Sequence, residues 1–257
     1  MGFYNPANQF LSVPPPPAVK RKAYFAFHFD DVMRVNVVRN AWKITHPDAP
    51  LARSFYDSSI WERRRLEGDD TLKRLMREGV QYTSAVCVLI GADTWSRRWV
   101  RYEIARAIID GRGLLAVHLN NIRHHLTKVA HPLGYNPLEC MGVGKRQLRS
   151  FDAPQYYLCE WEGNKREWVW YKDYTDPVKL PPYLPDPQPG HFSILSTGTF
   201  EYDYASMEGH KNIGRWIDLA AVAKRAILIA RCLGGGMWFV ERPPNTESQS
   251  SSARSRP

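Results

Sequence analysis

The chain has 257 residues, 44% apolar and 24% charged, with a formal net charge of +9. That length can bury a full core in one domain, and the composition is ordinary for a soluble globule. No apolar run approaches the ~20 residues a bilayer demands; the opening MGFYNPANQF fits neither a secretory leader nor, with Pro6 where Ser or Thr is needed, a myristoylation signal, so a cytoplasmic protein is expected.

Residues 1–19 contain Pro14–Pro17, a stiff extended spacer, and read as an arm outside the domain. Lys20–Phe29 (KRKAYFAFHF) reads as the first central strand of an α/β sheet. Asp30 or Asp31 is placed to cap a helix with the stripe Val32, Val35, Val38 and Trp42, which Pro47 and Pro50 end. Ser54–Tyr56 reads as a short second strand before the turn Asp57–Ser58–Ser59. The Arg63–Arg64–Arg65 run reads as a solvated face. Asp69 or Asp70 caps a further helix, carrying Leu72, Leu75 and Met76 and closed by Gly79.

The stretch Ser84–Leu119 organises the chain. Ser84–Ile90 is an apolar run stopped by Gly91, as a strand buried on both faces would be. Ser96 is placed to cap a helix in which Trp99, Val100, Ile104, Ala107 and Ile108 recur at helical spacing. Gly111 suits a left-handed helix end, and Leu114–Leu119 is a second buried strand. Strand, helix and strand at this length form a βαβ unit with parallel pairing. Glu103 lies on or beside the apolar stripe, where an unpaired charge is costly. On pattern alone it reads as a rim carboxylate paired with Arg97, Arg98, Arg101 or Arg106.

Beyond Leu119 the signals weaken. His124, His125 and His131 sit among Pro and Gly without acidic or Cys ligands at diagnostic spacing, so they read as loop histidines. Gly142–Lys145 lacks the glycine frame of a phosphate loop. Gln155–Glu162 and Glu167–Tyr171 read as a β-hairpin whose turn, at Gly163–Asn164, wants left-handed angles. Tyr174–Gly190 is proline-punctuated loop, and Phe192–Tyr204 extends against the sheet. Asn212–Cys232 is helical by spacing, and residues 233–257 read as a disordered tail rich in Gly, Ser, Pro and Arg.

Cys87, Cys140, Cys159 and Cys232 are widely spread, which argues against structural zinc, and no metal site is expected. The charge suits an anionic ligand as well as nucleic acid, and no nucleic-acid motif is present. Ligands of doubly wound sheets bind beyond the carboxyl ends of the strands. Those ends are His28–Phe29–Asp30, Asp57–Ser59 and Gly91–Trp95, and they should meet at one edge.

FAFHFDD, FYDSS-x-W and VCVLIGADTWSRRWVRYEI resemble the TIR-like domain of the bacterial Thoeris antiphage system, the ThsB proteins. The likeness covers about residues 20–217, within a TIR-like domain placed at 20–232. The W-x-x-x-E spacing from Trp99 to Glu103 resembles the position of the catalytic glutamate in TIR enzymes. The resemblance implies a flavodoxin-like doubly wound parallel sheet, here with a C-terminal aromatic hairpin and helix. It implies an enzyme that cleaves NAD, its substrate and not a bound cofactor, releases nicotinamide, and cyclises ADP-ribose into a signal for an effector after a phage-derived trigger, with self-assembly. Glu103 then becomes the catalytic residue. Phe27, Phe29 and Trp95 are candidate stacking faces, with Phe27 and Trp95 equally readable as core. His28 touches ribose or phosphate, or orders its loop. Asp57 and Ser59 bind ribose or form the turn. The same residues also suit plain NAD hydrolysis, or a TIR-like assembly module without turnover.

Overall fold

The computed structural model describes residues 21–45, 68–124, 126–146 and 153–223. The expected strand Ser54–Tyr56, Asp57, Ser59, Trp61, His125, the N-terminal arm and the tail lie outside the described residues.

In chain order the strands are β1 (Ala23–Ala26), β2 (Ala85–Ile90), β3 (Gly113–His118), β4 (Met141–Arg146), β5 (Gln155–Glu162), β6 (Glu167–Trp170), β7 (Phe192–Ile194) and β8 (Phe200–Asp203). The helices are α1 (Val32–Thr45), α2 (Asp69–Gln81), α3 (Arg98–Ile109) and α4 (Gly209–Ala223). One four-stranded sheet has the order β1-β2-β3-β8, parallel throughout. A second has the order β6-β5-β4-β7, antiparallel throughout. The α/β, TIR-like architecture expected from the sequence is present.

β1, β2 and β3 are buried at every position, because both faces of the parallel sheet are covered. Alternation divides their side chains. Ala23, Phe25, Cys87, Leu89, Leu115 and Val117 meet Val35, Val38 and Trp42 of α1 and Ile213, Trp216 and Ile217 of α4. Tyr24, Ala26, Val86, Val88, Ile90, Leu114 and Ala116 meet Val100, Ile104, Ala107 and Ile108 of α3. The second sheet joins this latter cluster through Met141, Val143 and Leu158.

Several local expectations are corrected. Ser96 does not cap α3: Thr94–Ser96 form a 3₁₀ turn, and the Ser96 hydroxyl donates to the Asp93 carbonyl at 2.9 Å. Arg97 holds the cap position without a side-chain bond. Gly79 is buried inside α2, which runs on to Gln81, because tertiary packing outweighs a single glycine's weak helix preference. The caps expected of Asp30 or Asp31 and of Asp69 or Asp70 also differ. A 3₁₀ turn at Phe29–Asp31 precedes α1, and Gly68 precedes α2 with both aspartates inside the first turn. In the β5–β6 hairpin the left-handed residue is Arg166, at φ 53°. Gly111 is left-handed as expected, at φ 60°.

The largest difference lies after Leu119. The hairpin is half of the second sheet, and Phe192–Tyr204 splits between sheets: β7 joins β4, and β8 becomes the fourth parallel strand. α4 is a covering layer of the main core. Gly113, at the start of β3, makes that layer possible, since a Cβ there would sit 2.2 Å from the Ala220 carbonyl oxygen. Gly113→Ala should therefore destabilise the fold by about 1–3 kcal/mol through overpacking. The expected signature is a lower denaturant midpoint at an unchanged slope.

Candidate active site

α3 makes two inward contacts. Val100 and Ile104 pack on the parallel sheet, and Trp99 and Tyr102 pack on Leu72 and Met76 of α2. Glu103 falls between Tyr102 and Ile104, so its side chain is drawn into the seam and is only 8% exposed. There Tyr24 of β1 donates its phenol proton to Glu103 Oε1 at 2.5 Å.

The expectation of an arginine partner fails. Arg98 pairs with Asp69 and Asp173, Arg101 with Glu160, and Arg106 with Asp110. Among the described residues no cation lies within ion-pair distance of Glu103. Burial pushes its carboxyl from the ordinary 4.5 to about 8, while the Tyr24 bond pulls the other way. Near neutral pH the group is therefore mostly protonated in the free protein, and an incoming positive charge would favour its anion.

Tyr24 is not at the tip of its strand. His28 lies four residues further on, roughly 13 Å at strand spacing. α3 runs back from the strand ends, and Glu103 stands five residues, roughly 8 Å, below its start. The carboxyl is thus seated beneath the sheet's carboxyl edge.

That edge brings some expected site residues together and separates another. Phe27 is half-buried against the α1 and α4 layer, on the opposite face of the sheet from Glu103. His28 is half-buried, with Nδ1 3.5 Å from Asp30 Oδ2. Phe29 is 44% exposed beside it. Trp95 is half-buried and meets Tyr135 edge-on, with ring centroids 5.8 Å apart.

The structure brings to this edge residues that the sequence reading placed only as a helix cap, a loop histidine and a strand stop. The segment 131–136 straps the strand ends. His131 Nε2 lies 3.5 Å from Asp31 Oδ1, and Arg34 lies 3.9 Å from the same oxygen. Asp31 is buried, and desolvation raises its carboxyl despite those neighbours. Gly91 leaves room for this carboxyl, since a Cβ there would fall 1.8 Å from Asp31 Oδ2. Gly134 crosses the same point, where a Cβ would lie 1.9 Å from the Gly91 carbonyl oxygen. The sequence signals were a glycine-marked turn at Gly91 and a glycine- and proline-marked one at 132–137, more than 40 residues apart; nothing local indicated that they touch.

Among the described residues no group of three His, Cys, Asp or Glu side chains is arranged to hold a metal ion. No helix among them is long and apolar enough to cross a membrane. A groove of about 520 Å³ opens at the other end of α3, between Ile108–Arg112 and Tyr174–Tyr183, and does not include Glu103.

The raised carboxyl has a consequence for stability. The folded chain keeps the Glu103 proton where the unfolded chain has lost it. The associated stability is complete below about pH 4.5 and disappears as pH rises through about 8. Glu103→Gln removes that dependence. The melting temperature of the Gln variant, measured relative to the parent, should climb between pH 5 and 8; parallel profiles would contradict the buried, cation-free site.

Residues 24–124 match the family described as Thoeris protein ThsB, TIR-like domain, a span that holds Tyr24, His28, Trp95 and Glu103. The chain is 36% identical over 200 residues to a protein of Bacillus cereus (strain MSX-D12) named "Putative cyclic ADP-D-ribose synthase ThsB1". The likeness spans 77% of this chain and 99% of that protein. With that identity along most of its length, the chain belongs to the TIR-like ThsB family of the Thoeris system.

Proposed function

We propose that this protein is a cytoplasmic NAD-consuming enzyme that releases nicotinamide and closes the remaining ADP-ribose into a cyclic signal during antiphage defence. The observation that carries the reading is the buried Glu103 carboxyl, bonded to Tyr24 and without a cation beside it among the described residues. The name of the Bacillus cereus relative, "Putative cyclic ADP-D-ribose synthase ThsB1", supports the same reaction class.

The chemistry needs one carboxylate. Glycosidases use two because an alkoxide leaving group must be protonated. NAD carries its nicotinamide as a cationic glycoside, so the base departs neutral and needs no acid. The positive charge then passes to the ribose as an oxocarbenium-like centre. An anion in a water-poor seam stabilises that centre strongly, because little solvent screens it. The substrate's cation itself favours ionisation of Glu103, so the free, neutral carboxyl becomes an anion when substrate is bound.

Phe29 and Trp95 supply aromatic faces beside the strand ends, and His28 a polar contact. Asp57 and Ser59 are assigned to ribose. Phe27 supports the site from the far side of the sheet. Excluding water lets an internal hydroxyl reach the anomeric carbon first. The proposed partners are a phage-derived trigger, further copies of the chain in a self-assembled state, and an effector that reads the cyclic product.

Glu103→Gln should lower nicotinamide release from NAD at least about a hundredfold, measured by mass spectrometry on purified protein and on infected cells. Comparable turnover by the Gln variant would remove Glu103 from the mechanism. In the parent enzyme kcat/KM should rise with pH towards about 8 as free Glu103 ionises. Tyr24→Phe deletes the bond that favours the anion and should shift that rise to higher pH.

A further inference from the structure

The parallel sheet ends in a second polar arrangement that the scheme above does not use. His118 is the last residue of β3 and is 8% exposed. Alternation places it with Leu114 and Ala116, on the face of the sheet that also carries Tyr24 and α3. Its Nε2 lies 2.9 Å from Glu201 Oε1 on the neighbouring strand β8. The other Glu201 oxygen accepts from Asn136 Nδ2 at 2.8 Å. Asn136 Oδ1 accepts the Leu138 backbone N–H at 2.9 Å.

These contacts set each orientation in turn. With its oxygen engaged by a backbone donor, Asn136 presents its N–H groups to Glu201. An ionised carboxylate only accepts, so it takes the imidazole proton on Nε2. The lone pair is then on Nδ1. That Nδ1 is buried and has no hydrogen-bond partner among the described residues. Native structures rarely leave a buried acceptor unmet, because its lost hydration goes uncompensated. Three segments far apart in the chain converge to hold this nitrogen at the sheet's carboxyl edge, where ligands of such sheets bind.

We infer that His118, oriented by Glu201 and Asn136, accepts the proton of the substrate hydroxyl that closes the ring. This rests on the NAD-cyclising reading above. As the bond between ribose and nicotinamide breaks, its electron pair leaves with the neutral base. A hydroxyl oxygen elsewhere in the same substrate molecule forms the new bond to the anomeric carbon. Its proton passes to His118 Nδ1, and the Glu201 carboxylate steadies the imidazolium until solvent takes the proton. A base beside that hydroxyl favours ring closure over attack by water. Glu103 governs departure of nicotinamide, His118 the fate of what remains.

The test is the partition of products. Nicotinamide, cyclic product and linear ADP-ribose are measured by mass spectrometry in infected cells carrying the parent, His118→Gln or Glu201→Gln, with Glu103→Gln as the blank. Nicotinamide release should persist at a reduced level, while the ratio of cyclic to linear product falls at least tenfold for His118→Gln and less for Glu201→Gln. The Glu201 side chain is 41% exposed, so its variant keeps a folded readout even if His118→Gln unfolds. The inference is overturned by an unchanged ratio in Glu201→Gln and any folded His118→Gln. Loss of all nicotinamide release in both variants overturns it too, as does a ring closed through an adenine nitrogen. A parent that releases no nicotinamide above the blank would instead defeat the NAD-cleaving reading itself.

Discussion

A carboxyl group shut into the seam between α3 and the parallel sheet, facing a phenol and, among the described residues, no cation, is the constraint on which the rest of this protein turns. Tyr24 is fixed by the parallel register that sets it beside Val86. Glu103 is fixed by the crossover helix between β2 and β3. Both elements are packed against the core, so the carboxyl cannot swing out to water. Its charge must be suppressed by a proton or matched by a cation arriving in the cleft. Such a group holds its proton near neutral pH and gives it up when a positive charge arrives beside it.

The arginines of α3 are engaged elsewhere and leave Glu103 without a countercharge among the described residues. Arg98 reaches Asp173, just beyond β6, and Arg101 reaches Glu160 on β5. Arg101 also donates to the carbonyl oxygens of Trp95 and Trp161. The basic face of the helix is used to fasten it to the second sheet and to its own leading loop. The same contacts hold the helix at a fixed height beneath the strand ends. The second sheet is therefore part of the candidate site's frame, since it positions the element that carries the carboxyl.

Much of the parallel half could be read from local pattern. The apolar runs of β1, β2 and β3, the stripe of α1 and the left-handed Gly111 need only neighbours in sequence to declare themselves. Glu103 was legible as an anomaly, an acid beside an apolar stripe, and the W-x-x-x-E resemblance gave it a role. Its partner was not legible, because Tyr24 lies 79 positions away and reads as one more aromatic in a strand. Beyond its hairpin, the second sheet was missed for a related reason. β4 contains Gly142 and Gly144, which blunt its alternation, and it is completed by β7, whose three residues carry little periodicity of their own. Glycines 91 and 134 look like ordinary turn residues until the backbone brings them together over Asp31.

By itself the sequence determined the class of fold, the order of its central elements and the identity of the one acid out of place on its helix. These follow from hydrophobic period and turn chemistry, which act over a few residues. Only the tertiary structure decided what that acid meets, which arginines are withheld from it, and how His118, Asn136 and Glu201 come to share hydrogen bonds. Such pairings depend on strand register and layer packing, which join residues with no local signature of one another. The electrostatic character of a buried group follows from those neighbours.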